Sequence, residues 1–227
     1  MLCDDDLRAR ICANLTAFEP RLAEQDVRRA AVAVTVVDLA HGAALAGLPD
    51  YAEWQSHPAL LLTRRSAALR NHPGQWAFPG GRVDPGETAV ETALREMHEE
   101  VSLELPEEAV LGRLDDFVTR SGFVMSPVVV WGGPRRETWP NPQEVASVHR
   151  IPFTELLRDD APRLDPADDV RRQLRDMLYD IEAQDGTDQL HFWSIHATKS
   201  DEFIGLVGLG DELQSLHANG MVGTVIV

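Results

Sequence analysis

From Thr88 to Val101 apolar residues recur at spacings of three and four, so Val90, Ala93, Leu94, Met97 and Val101 share one face and predict an amphipathic helix. Leu7, Ile11, Leu15 and Phe18 predict another at the start of the chain, interrupted by acids and arginines. Residues 29–39, RAAVAVTVVDL, are rich in β-branched side chains and read as a buried strand bounded by an Asp-Leu-Ala-His-Gly turn. Residues 41–58 hold glycines, prolines, Tyr51 and Trp54, and predict a long loop or insertion with room for a short helix, before a strand at ALLLTRR. Strands are expected at 109–118 and 123–131, joined by TRSGF as a turn, and at 145–151, ending at Pro152. PFTELLR then opens a short helix, DPADDVRRQLRDMLYDIEAQ predicts an exposed-face helix starting near Asp165, LHFWSI a strand, and MVGTVIV a strand or ordered tail.

One helix set among several strands, with others at the ends, indicates mixed α/β (α+β) packing rather than a regular βα alternation. The 227 residues and 44% apolar content suffice for one generous domain, or one domain with appended elements. No apolar run approaches the about 18 residues of a membrane span, and the charged opening helix does not read as a signal peptide. Cys3 and Cys12 both fall on that helix, too far apart along it for a bridge, so a reducing cytoplasm fits best. A formal charge of −16 argues against a long nucleic acid as partner, because such interfaces rest on lysine and arginine. A small phosphorylated ligand stays open, since a bound metal and a local arginine cluster reverse the field at one site.

Glu96, Glu99 and Glu100 stand at i, i+3 and i+4 on the 88–101 helix, on an arc away from its apolar face. Like charges at that spacing destabilise a helix by roughly 0.2–0.5 kcal/mol per pair, and these crowd the negative end of the macrodipole. A solvated acidic face would put acids in the first turn and mix in lysines. This segment has no lysine, and its one arginine, Arg95, is placed to reach Glu91 or Glu99. Converging carboxylates suit hard divalent cations such as Mg²⁺ or Mn²⁺.

Gly81, Glu87, Arg95, Glu96, Met97, Glu99, Glu100 and Leu103 fall on one long spaced pattern, and it resembles the signature of the Nudix hydrolases. Only Ser102 departs, standing where that family has glycine. The resemblance implies a Nudix fold, a mixed β-sheet sandwiched between helices, over residues 30–158. Residues 1–29 would then be an N-terminal helical segment and 159–227 a helix and strand extension packed on the same domain. It further implies metal-dependent hydrolysis of a small nucleotide: Glu96, Glu99 and Glu100 hold metal, Arg95 orients them, and Glu87 supports Arg95 from before the helix. The general base is left among these glutamates, Glu99 included, and Glu144 in NPQEV. Oligomeric state is left open, a homodimer being one arrangement.

Upstream, LLTRRSAALRNHPGQWAFPGG (61–81) is similar to the extended motif of the coenzyme A diphosphatase branch: Leu61, Leu62, Thr63, Arg65, Ser66, Arg70, Gly74, Phe78, Pro79, Gly80 and Gly81 match its fixed positions. Arg65 and Arg70 offer planar donors to phosphate oxygens, while Gly80 and Gly81 let backbone approach a ligand. His72 reads as structural, and Trp76 and Phe78 as core rather than as stacking platforms. The expected reaction is cleavage of coenzyme A to 3′,5′-ADP and 4′-phosphopantetheine. ADP-ribose or NADH hydrolysis is the alternative within the family, and a catalytically weak ligand-binding module the alternative outside enzymes.

Overall fold

The computed structural model describes residues 1–23, 28–70, 73–118, 123–156, 191–196 and 203–209. It begins with α1 (Asp5–Thr16), capped by Asp4, whose carboxylate accepts from the Leu7 amide at 3.0 Å. Cys3 therefore precedes the helix rather than lying on it, and both cysteines are free thiols. Two long strands follow, β1 (Arg28–Gly42) and β2 (Asp50–Arg65), then two short ones, β3 (Trp76–Ala77) and β4 (Gly80–Arg82). Next come α2 (Ala89–Val101), β5 (Val110–Arg113), β6 (Phe117–Val118), β7 (Phe123–Gly133), β8 (Val145–Pro152) and α3 (Phe153–Leu156). β9 (His191–His196) and β10 (Phe203–Leu209) form a further antiparallel pair. The helix expected near Asp165 and the closing MVGTVIV lie outside the described residues, as does His72.

The main sheet is mixed. β1 runs parallel to β7 and antiparallel to β2 and β4, while β8 pairs antiparallel with the outer side of β2. Along β1 the alternation of side chains decides what covers each face. Val32, Val34 and Val36 join Leu60, Leu62, Trp76, Phe78 and Val129 in one core, against which Ile11 and Leu15 of α1 pack. The smaller Ala31 and Ala33 face the other way and meet Ala93, Met97 and Val101 of α2. Small residues beneath α2 allow the close approach that fully buries Met97, whose sulfur lies 3.2 Å from the Thr35 hydroxyl. Helices thus cover both faces, as expected of the fold.

Two expectations fail at the β1–β2 end. The turn expected at 38–42 is strand, carried past register shifts between Asp38, Ala40 and Gly42, with Ala40 at φ 53. The segment 50–58, expected as loop, is the first half of β2, paired with β1 from Gly42↔Asp50 to Asp38↔Pro58. Trp76 and Phe78 are buried in the core, as expected.

Candidate active site

The loop from β4 to α2 ends in a capping box: the Thr88 hydroxyl accepts from the Glu91 amide (3.2 Å) and the Glu91 carboxylate from the Thr88 amide (2.7 Å). Glu91 is thereby engaged and does not receive Arg95. The Arg95 guanidinium reaches back instead to Glu87, Nε donating to Oε1 at 2.8 Å and Nη2 to Oε2 at 3.1 Å. Its Nη1 donates forward to Glu96 (2.9 Å) and Glu99 (3.0 Å), and Nη2 also donates to the Arg82 carbonyl at 3.3 Å. Hydrogen bonding from Arg95, then from Thr92, holds the Glu87 carboxyl at about 2, well below its usual range.

Glu100 corrects the expectation that all three glutamates lie away from the apolar face. Only 3% of it is exposed. Ala93, Met97 and Glu100 stand at i, i+4 and i+7, one stripe of the helix, so the carboxylate is carried toward the sheet with its apolar neighbours. There Glu96, Glu100 and Glu144 place one carboxylate oxygen each within 4.8 Å of one another. Glu144, 44 residues away, enters from the exposed segment before β8. Glu99 lies outside that group, exposed and held by Arg95.

Burial first, and the charge of Glu96 second, push the Glu100 carboxyl up to about 8, with Arg65 and the Gly80 amide opposing. Glu96 is raised as well, by burial against the counter-pull of Arg95. A nearby cation would favour the charged form of both. An all-oxygen donor set of this spacing fits a hard divalent cation, and it has no sulfur or imidazole to favour a softer one.

Gly80 and Gly81 form the wall beside the cluster. A Cβ on Gly81 would collide with the Glu96 carboxylate, and one on Gly80 with the Ala31 carbonyl and Val32. Packing excludes a side chain at Gly80, and one at Gly81 would displace the Glu96 carboxylate, where ligand contact alone was expected; the Gly80 amide also donates to Glu100 at 3.3 Å. Arg65, at the end of β2, is fixed through its backbone to Gln75 (2.8 Å) and Gly74 (3.1 Å). Its side chain is half-buried near Glu100, and its Nε is buried with no hydrogen-bond partner. Arg70, farther along the same loop, is exposed.

Sequence reasoning passed over Thr88, Thr92 and, in the loop 139–144, every residue but Glu144. The Ser/Thr-x-x-Glu spacing of Thr88 and Glu91 would have revealed the first, but no local pattern shows that Trp139 and Asn141 dock on the end of α2. An apolar cleft of about 240 Å³ lined by Leu39, Tyr51, His57 and Phe153, among others, shares no residue with the cluster.

Residues 52–172, more than half of the chain, match the family model described as NUDIX domain. A protein of Photorhabdus laumondii named "Uncharacterized Nudix hydrolase NudL" is 45% identical over 101 residues, 44% of this chain and 54% of that protein. Its namesake in Pectobacterium atrosepticum is 43% identical over 123 residues, 54% of this chain and 63% of the relative. "Nudix hydrolase 3" of Caenorhabditis elegans is 33% identical over 150 residues, 64% of this chain and 58% of the relative. The matches therefore span a little over half the length of these curated relatives.

Proposed function

Because the chain belongs to the Nudix family, we propose that its carboxylate cluster hydrolyses a nucleoside diphosphate derivative with Mg²⁺ or Mn²⁺, and that the substrate is coenzyme A. Glu96 and Glu100 would hold the cation with one oxygen of Glu144, and Glu99, on leaving Arg95, would share a second ion at the rim. When bound, the metal supplies charge neutralisation at the diphosphate and a more acidic water. Arg95, anchored by Glu87, keeps Glu96 and Glu99 in place. Glu144 has a second oxygen to accept the proton of the attacking water. One water is added across the P–O–P bridge, which breaks to give 3′,5′-ADP and 4′-phosphopantetheine.

The observation that carries this reading is the convergence of Glu96, Glu100 and Glu144 oxygens within 4.8 Å, with the Arg65 Nε, buried and making no hydrogen bond, near Glu100. A metal-bound diphosphate would bring positive charge to the three carboxylates and an anionic acceptor to Arg65. Assignment of coenzyme A rests on the motif at 61–81, where Arg65 and Arg70 would take the diphosphate and the 3′-phosphate, with Gly80 and Gly81 lining the path. The unbridged cysteines suit a reducing cytoplasm.

The test is incubation with coenzyme A, ADP-ribose or NADH, each with Mg²⁺ or Mn²⁺, followed by product identification. Coenzyme A should be cleaved most efficiently. Much faster turnover of ADP-ribose or NADH would overturn the coenzyme A assignment while leaving diphosphate hydrolysis intact.

A further inference from the structure

We propose that Ser102, which stands where the family signature has glycine, is a positioning residue that fastens the Glu144-bearing loop to the carboxylate helix. The proposal rests on the reading of Glu96, Glu100 and Glu144 as a divalent-cation site.

Ser102 ends α2 in the left-handed conformation, φ 56 and ψ 28, which costs a serine about fivefold in the folding equilibrium and a glycine almost nothing. A strained residue is informative when its side chain does something glycine cannot. Here the Ser102 hydroxyl donates to the Trp139 carbonyl at 3.1 Å. Two backbone bonds run beside it: the Trp139 amide donates to the Val101 carbonyl (2.9 Å) and the Asn141 amide to the Glu100 carbonyl (2.8 Å). These occupy carbonyls that a helix end leaves unsatisfied. The loop is thus docked on the turn that carries Glu100.

From that docking point the chain to Glu144 is stiff. Pro140 and Pro142 fix their own backbone angles, and the Asn141 carbonyl accepts from the amides of Glu144 (3.0 Å) and Val145 (2.8 Å). The Asn141 side chain accepts from the Gln143 amide at 3.2 Å. Among the described residues Trp139, at 64% exposed, and Pro140, Pro142 and Gln143 stand on the surface, so the hydrogen bonds above hold the segment. At the far end the Glu144 carbonyl accepts from the Ser66 amide at 2.8 Å, next to Arg65. Ser102 therefore sits at one end of a rigid strap whose other end places the third carboxylate.

The experiment is a double-mutant cycle read by calorimetric titration with Mn²⁺, on the full chain, with thermal melts alongside. Ser102→Gly should weaken Mn²⁺ binding by about two- to tenfold, the worth of one hydrogen bond, without lowering the melting temperature. In the Glu144→Gln background the same substitution should change Mn²⁺ affinity by less than about twofold, because the strap then positions nothing that binds. Ser102→Asn, which tolerates the left-handed conformation and keeps a donor, should restore affinity at least in part. Equal losses in both backgrounds, no loss in the first, or an Asn variant as weak as the glycine one would overturn the assignment. A wild-type chain that takes up no Mn²⁺ would instead sink the cation site itself.

Discussion

Arg95 and Glu87 form a two-pronged ion pair across the entry to α2, at 2.8 and 3.1 Å, while a single Nη1 of the same guanidinium serves Glu96 and Glu99. Glu87 thus anchors the arginine that bonds Glu96 and Glu99. Glu87→Gln removes the charge that anchors Arg95, so Glu96 and Glu99 should be less well placed and Mn²⁺ affinity should fall by about ten- to a hundredfold. Unchanged affinity in a calorimetric titration would show that Glu87 has no hold on the site.

The same pair gives an acid signature. The folded Glu87 carboxyl is depressed to about 2 from 4.5, so its stabilisation is present above about pH 4.5 and is lost as pH falls toward about 2. Thermal midpoints of wild type and Glu87→Gln should therefore converge in acid and separate above it. Curves that stay parallel through that window would rule the linkage out.

Glu100 has the opposite sign. Its folded carboxyl is raised to about 8 from 4.5, so the metal-free protein should lose stability as pH climbs between those values. Glu100→Gln should flatten that limb and raise the metal-free midpoint near pH 8, since the glutamine carries no charge to bury. Metal binding at neutral pH should release a proton, visible as a buffer-dependent calorimetric heat. A wild-type midpoint flat from pH 5 to about 8 would contradict the burial of an ionisable group there.

The arginines of the upstream motif divide by position. Arg65 lies beside Glu100 and should matter for any diphosphate, so Arg65→Ala should depress turnover of coenzyme A and dephospho-coenzyme A alike. Arg70 is exposed. Arg70→Ala should narrow the preference for coenzyme A over dephospho-coenzyme A, because only a group that meets the 3′-phosphate discriminates between them. Steady-state kinetics on both substrates decides; an unchanged preference removes Arg70 from substrate recognition.

How far the sequence reached depended on the range of the interactions. Helix α2, its boundaries and most of the carboxylates were legible because periodicity and motif spacing are local. The first half of β2 was not: DYAEWQSHP is half-exposed, and its glycine- and proline-flanked text reads as loop until β1 pairs with it. Buried Glu100 was legible in retrospect from the stripe Ala93, Met97, Glu100, but charge outweighed position in the reading. Contacts such as Arg150 Nη1 with Asp38 Oδ1, 2.9 Å apart across 112 residues, leave no local trace. The meeting of Glu144 with Glu96 and Glu100 belongs to the same kind, and Glu144 was singled out by motif rather than by geometry.

Buried Glu100 would supply charge to a metal used for diphosphate hydrolysis. The most direct measurement compares coenzyme A cleavage with Mg²⁺ by wild type and by Glu100→Gln, which keeps the shape and removes the charge, with circular dichroism confirming both folds. Turnover should fall by at least about a hundredfold while the spectrum is unchanged. Near-normal turnover by a folded Glu100→Gln protein would contradict the account.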